Sequence, residues 1–265
     1  MNRNQAAASL MLVVSLGLLL TNRLAGADEK DAAWGITVKG QVVFGGDVIP
    51  APKQIDVNNN QDKQHCLSKG PLLSDEWTIN KDNKGVRWTI VWLAPAATGQ
   101  PLPVHPSLKQ INKKEVEIDQ PCCKFVPHAL GIRQGQDLVA KNSAPVAHNI
   151  NWAGIKNAGG NVLIPASGSH TIPGLVPDRT PVRLSCNIHP WMVAWLRVFD
   201  HPYFAVTDEN GKFEIKLAPA GNYYLVTWHE AIGYGPGGRQ GVPVTIKAGA
   251  DTDAGKIELK PADNK

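Results

Sequence analysis

The sequence predicts an all-β protein, and three observations carry that prediction. Short runs in which apolar and polar residues alternate recur along the chain. Turn-formers stand between them, with 25 Gly and 20 Pro among 265 residues. No stretch keeps the 3.6-residue period of a helix for any length. An apolar fraction of 43% with 19% charged residues excludes wholesale disorder and long coiled coils. The length allows one or two domains, each able to bury its own core.

The first apolar run, Ala6 to Leu20, is only fifteen residues and contains Ser9, Ser15 and Gly17. A membrane-spanning helix needs about 20. The run follows Arg3 and precedes Ala25-Gly26-Ala27, the small-x-small pattern of a signal-peptide cleavage site. We therefore expect residues 1–27 to be removed, with a buried N-terminal helix as the other reading. The cut takes Arg3 and Arg23 with it and lowers the formal charge from +4 to +2. No later segment is apolar enough to span a bilayer, so a periplasmic or secreted protein is expected. A charge so close to zero leaves no footprint for nucleic acid.

The expected strands follow in order. Ile36 to Phe44 alternates and stops at Gly45-Gly46. The polar stretch around Asn58-Asn59-Asn60 reads as a surface loop. Val86 to Leu93 is the next strand, and the Pro-rich run Ala94 to Pro106 is a connection. Phe125 to Ile132, Asp137 to Lys141, His148 to Trp152, Val182 to Cys186 and Trp195 to Phe199 make a central group. Phe204 to Val206 and Lys212 to Leu217 flank the turn signal Asp208-Glu209-Asn210-Gly211. Tyr223 to Trp228, Val242 to Lys247 and Lys256 to Leu259 close the chain.

The segment Cys186-Asn187-Ile188-His189-Pro190-Trp191-Met192 places a thiolate, an imidazole and a thioether at i, i+3 and i+6 of one loop. With a second imidazole, these are the ligand types of a mononuclear blue-copper site. His148, opening the run His148-Asn149-Ile150-Asn151-Trp152, supplies one. Taken alone, C-x-x-H-x-x-M would also suit a buried Cys, a surface His and a core Met. Two sulfur donors of unequal strength with two imidazoles suit both oxidation states of copper, which keeps the barrier to electron transfer low.

On these residues the chain resembles the cupredoxins, in their amicyanin-like and plastocyanin-like forms. The C-x-x-H-P-aromatic-Met loop and the His-Asn pair opening a strand carry the resemblance. Phe125-x-Pro127, then Gly135-Gln136-x-x-Val139-x-x-x-Ser143, and the alternation of Leu196 and Val198 extend it over roughly Asn112 to Asp200. The resemblance implies a Greek-key β-sandwich with a single type 1 copper held by His148, Cys186, His189 and Met192. It implies that Asn149 bonds near the cysteine sulfur or ties the two ligand segments together. It also implies that the loop histidine shows an edge within an apolar patch at Pro190 and Trp191, where redox protein partners dock. The other reading of Trp191 is packing against a neighbouring domain. Ser185 and Ala194 depart from the usual family residues without removing a ligand.

No His-x-His pair occurs and the neighbours of Cys186 are Ser185 and Asn187, so a second, catalytic copper is not expected and the chain reads as an electron carrier, not an enzyme. Copper storage or delivery, or a surface-binding module with a vestigial copper site, are the competing readings. His65, His105 and His170 read as surface residues, and His128 as facing the core or lining a second site. His201 lies at the domain junction, and His229-Glu230 reads as a structural hydrogen-bonding pair. Gly233 to Gly238 satisfies G-x-G-x-x-G, but a strand-to-strand context with a Pro makes it a loop.

Thr207-Asp208-x-x-Gly211-x-Phe213-x-Ile215 and Pro219-Ala220-Gly221-x-Tyr223-x-Leu225 resemble the carboxypeptidase regulatory-like domain, a transthyretin-type β-sandwich. The first strands of that family are matched by Gly40 to Gly46 and Val86 to Leu93, which precede the copper region. The cupredoxin segment, residues 111–200, is therefore expected to be inserted in a sandwich made of residues 28–110 and 201–265. The alternative is an N-terminal extension followed by an independent C-terminal domain. Once the resemblance assigns Cys186 to the metal, Cys66, Cys122 and Cys123 remain. Neighbours on a strand point to opposite faces, so Cys66 is expected to pair with Cys122 or Cys123, three buried thiols being the other option. There is no C-x-x-C pattern for zinc or haem.

Overall fold

Alternation decides which way each strand faces. In Lys212–Lys216 it buries Phe213 and Ile215 and leaves the three charged residues in water. Each such burial is worth about 1.5–3 kcal/mol. The computed structural model describes residues 33–97 and 99–261; the predicted leader at 1–27 lies outside them. The strands are β1 (Thr37–Phe44), β2 (Ile90–Pro95), β3 (Glu115–Ile118), β4 (Ala129–Arg133), β5 (Asp137–Lys141) and β6 (His148–Ala153). Next come β7 (Gly160–Ile164), β8 (Ser169–Ile172), β9 (Val182–Ser185), β10 (Val193–Phe199) and β11 (Phe204–Val206). The last are β12 (Lys212–Lys216), β13 (Gly221–His229), β14 (Gly233–Tyr234), β15 (Val242–Ile246) and β16 (Thr252–Leu259). A single helical turn, α1 (Lys63–Cys66), and a 3₁₀ turn at Pro106–Leu108 are the helical elements among the described residues.

The fold is all-β and holds two sandwiches. One packs the sheet β4-β10-β9-β6-β7 against β3-β5-β8, over a core that includes Ile118, Ile132, Leu138, Ile150, Leu184 and Leu196. The other packs β12-β1-β16 against a sheet in which β2 lies between β11 and β13. Val42, Phe44, Leu93, Phe213, Leu225 and Leu259 belong to its core. Strands on both sides of residues 115–199 in sequence share each sheet of this second sandwich: β1 pairs with β12 and β16, and β2 with β11 and β13. The turn between β11 and β12 is fixed by Asp208, whose Oδ1 accepts the Asn210 and Lys212 N–H groups at 2.8 Å. Gly211 completes it at φ +71°, where a Cβ would stand 2.2 Å from the Val42 carbonyl oxygen.

A third cluster joins the sandwiches. Trp92, Val226 and Trp228 from one meet Ala129 and Phe199 from the other, and Phe199 stacks on Phe204 with ring centres 4.3 Å apart. Gly131 permits the approach, since a Cβ there would lie 2.6 Å from the Phe204 ring. His201 and His229 are two of the histidines in or beside this seam. His201 and His229 are buried, and burial lowers both from 6.5 to about 4. His229 Nε2 is buried with no close hydrogen-bond partner, and Glu230 and the Arg87 backbone offset the burial only in part.

The unfolded chain takes up these protons near pH 6.5 and the folded chain only near 4. The contribution is present in full above pH 6.5 and is lost as the pH falls to about 4. Each histidine accounts for about 3 kcal/mol over that window. The urea midpoint of the metal-free protein is expected to fall steadily between pH 7 and pH 4.5. In His229→Phe the fall should be shallower; an unchanged slope would refute the assignment.

Candidate metal centre

Two segments far apart in sequence meet at one end of the first sandwich. β6 opens on His148, and β9 delivers the chain to Cys186 immediately after Ser185. β6 and β9 are antiparallel neighbours with Asn151 opposite Ser185, so the strand pairing itself brings the two ligand segments together. The loop from Cys186 is closed by backbone bonds from Cys186 N–H to the Met192 carbonyl (3.2 Å) and from Met192 N–H to the His189 carbonyl (2.8 Å). β10 then begins at Val193.

The His148 and His189 Nδ1 atoms lie 2.9 Å apart, and Cys186 Sγ lies 4.0 Å from the first and 3.8 Å from the second. All three residues are buried, with His148 and His189 at 0% exposure, and Met192 is buried in the same loop. Three donors so placed fit one ion, given bonds of about 2.0 Å to imidazole and about 2.3 Å to thiolate. Burial, with His189 and His65 nearby, lowers His148 to about 4. Burial also lowers His189, against the pull of Asp62. Both rings are therefore neutral at pH 7, the form in which imidazole binds a metal.

Asn149 stitches the two segments. Its backbone N–H points at Cys186 Sγ (3.5 Å), and its Oδ1 accepts the N–H groups of Asn187 (2.7 Å) and Ile188 (3.3 Å). Its own amide donates to Asn161 Oδ1 at 2.7 Å, which fixes which way the carbonyl points.

The predicted exposed edge of the loop imidazole is corrected here. His189 is sealed beneath the segment around α1, which the sequence presents as a polar surface loop. Asp62 Oδ2 lies 3.1 Å from His189 Nε2, and the Asn60 amide donates to the Ile188 carbonyl at 3.2 Å. Val57, Cys66 and Leu72 pack into the first sandwich's core. Cys66 is bonded to Cys123, while Cys122 is a free, half-buried thiol. Pro190 is exposed, but Trp191 is half-buried and donates its indole N–H to the Cys123 carbonyl (3.1 Å). Asp62 is the functional candidate that the sequence does not reveal. A carboxylate on the outer nitrogen of a ligating histidine fixes the ring's orientation and tautomer.

The remaining histidines are less exposed than their surroundings in sequence suggest. His65, His105 and His170 are each partly exposed; His105 meets the edge of Trp34 and His170 stacks on Trp152. His128 bonds through Nε2 to the Glu230 carboxylate, across the seam between the sandwiches. His229 stacks on Trp77, so the hydrogen-bonding partner of Glu230 is His128 and not its sequence neighbour.

No protein-family model matches this chain, and no curated protein does. Among solved structures, a copper(I) form of an amicyanin variant is similar over 34% of this chain and 87% of its own length, at 12% identity and a TM-score of 0.29. A purple cupredoxin from Nitrosopumilus maritimus is similar over 31% of this chain and 98% of its own, at 18% identity and TM-score 0.28. A copper-containing nitrite reductase from Thermus scotoductus is 18% identical over 40% of this chain and 25% of its own, with a TM-score of 0.30. No helix among the described residues is long and apolar enough to cross a membrane.

Proposed function

We propose that this chain is an exported type 1 copper protein that carries single electrons between redox protein partners. The observation behind the reading is the convergence of two imidazole Nδ1 atoms and one cysteine sulfur, all buried, from segments 38 residues apart. His148, Cys186 and His189 would hold the copper, and Met192 would be a weak fourth contact. When bound, the ion supplies a one-electron couple. The chain's own residues do the rest: Asn149 holds the sulfur and the loop, Asp62 holds the outer nitrogen of His189, and the segment around α1 keeps water out.

Buried donors argue against a delivery protein, which needs exchangeable ligands at its surface. The disulfide Cys66–Cys123 suits an oxidising compartment and so supports export after removal of residues 1–27, to the periplasm or outside. The second sandwich, carboxypeptidase regulatory-like in its turn motifs, serves as scaffold or docking platform. In this reading residues 111–200 form the inserted copper domain.

The absorption spectrum of the mature protein with copper(II), before and after reduction, tests the function. An intense visible band that vanishes on reduction and returns on reoxidation is expected. A loaded protein that stays colourless would favour delivery, and failure to bind copper would favour a vestigial site.

A further inference from the structure

The disulfide lies against the candidate metal centre. The sulfurs of Cys66 and Cys123 and a ring nitrogen of His189 are all within 4.8 Å of one another, and the three residues are buried. Cys66 ends α1, and Asp62 caps the start of the same turn. Asp62 Oδ2 stands 3.1 Å from His189 Nε2, so this nitrogen faces the segment that carries Cys66. The other nitrogen, Nδ1, faces His148 and Cys186.

Bonded to each other, the two sulfurs offer no thiolate. Reduction changes that. A dithiol passes two electrons and two protons to the S–S bond and becomes a cyclic disulfide, leaving Cys66 and Cys123 as thiols. Donors about 2.3 Å (thiolate) and 2.0 Å (imidazole, carboxylate) from one tetrahedral ion stand about 3.3–3.8 Å apart. The 3.1 Å between Asp62 Oδ2 and His189 Nε2 is already near that spacing. The Cα atoms of Cys66 and Cys123 are 5.3 Å apart, and rotation about each Cα–Cβ bond gives the sulfurs room to face one ion. Two buried thiolates beside a carboxylate need compensating charge, and a divalent ion brings twice that of copper(I). Zinc(II) takes this donor set in a tetrahedron.

We propose that Cys66, Cys123 and His189, with Asp62 as fourth ligand, form a redox-gated zinc(II) site. It is closed as the disulfide and opens when a dithiol reduces it. Zinc(II) displaces the two thiol protons on binding. Disulfide and zinc use the same two sulfurs, so each excludes the other, and either one ties α1 to the segment at Cys123. A neutral imidazole has one acceptor nitrogen, so His189 serves this site or the one with His148 and Cys186, one at a time. The site is independent of the electron-carrier reading.

The test uses the mature protein with Cys122→Ser and Cys186→Ser, which leaves Cys66 and Cys123 as its cysteines. After reduction with dithiothreitol and removal of the reagent without air, one zinc(II) per chain is expected to bind. Cobalt(II) in its place should give a sulfur-to-metal absorption band. The oxidised chain should lack the band, and Cys66→Ala/Cys123→Ala should abolish it. His189→Ala, which keeps both sulfurs, should weaken zinc(II) at least about tenfold, the loss expected even for an outer partner of a metal ligand. If the reduced chain unfolds without metal, recovery of its folded circular dichroism on adding zinc(II) decides the case. A reduced chain without the band, a band that survives loss of both cysteines, an unchanged affinity in His189→Ala, or no recovery overturns the proposal.

Discussion

Cys186→Ser protein is expected to lose the whole of the intense visible band of the copper(II) form while keeping its fold. The substitution exchanges the soft thiolate for a hard hydroxyl at the one position where Cys186 Sγ meets both imidazoles, 4.0 and 3.8 Å from their Nδ1 atoms. Soft thiolate ligation, with its strong bond to copper, is the feature that separates a blue site from an ordinary imidazole site. The size change is one atom, and Asn149 retains its bonds to Asn187 and Ile188, so the loop has no reason to move. Circular dichroism and the urea midpoint of the metal-free form should match those of the parent. A variant that keeps its colour would place the copper elsewhere.

The second large effect concerns stability. Cys66 and Cys123 close a loop of 57 residues, and cross-linking a loop of that length restricts the unfolded chain by about 4 kcal/mol in the chain-entropy account. Cys66→Ala/Cys123→Ala is expected to lower unfolding stability by about that amount in urea titrations. A loss under about 1 kcal/mol would contradict it. The comparison belongs in a Cys122→Ser background, because the Cys122 sulfur lies 3.8–3.9 Å from the carbonyls of His65 and Cys66 and could exchange with the bond. The same double variant should release bound copper to a chelator faster, since α1 and Asp62 are anchored over His189 through Cys66.

Much of the site is legible in the sequence because its chemistry is local. Three of the four candidate ligands fall within seven residues, and the fourth opens a strand whose alternation is plain. The cap is illegible for a physical reason. Asp62 sits in an Asn-rich polar run, and its importance arises from one contact 127 residues away in sequence. The disulfide partner of Cys66 is open for a similar reason: two adjacent cysteines offer equal spacing, and only the path of the loop between them decides.

Among the strands, β5 and β11 match their expected limits. β3, β7 and β8 are unforeseen because each spans only four or five residues, too few for a pattern to show. Gly160-Asn161 and Ser169-His170 look like turns when read alone, and hydrogen bonds to β6 and β5 make them edges of sheets. The expected strand at Val86 begins instead at Ile90. Val86 forms an isolated bridge with Ile79, and Trp88 takes a left-handed backbone at φ +67°.

The seal over His189 has a dielectric consequence. With its outer nitrogen held by a carboxylate and its ring wholly inside the protein, no bulk solvent dipoles stand against this imidazole to reorient when charge at the centre changes. The surrounding dipoles are fixed by folding, so in the proposed electron-carrier reading little rearrangement would accompany a change of oxidation state. In that reading the same wall would lengthen the tunnelling distance to any donor approaching from that side.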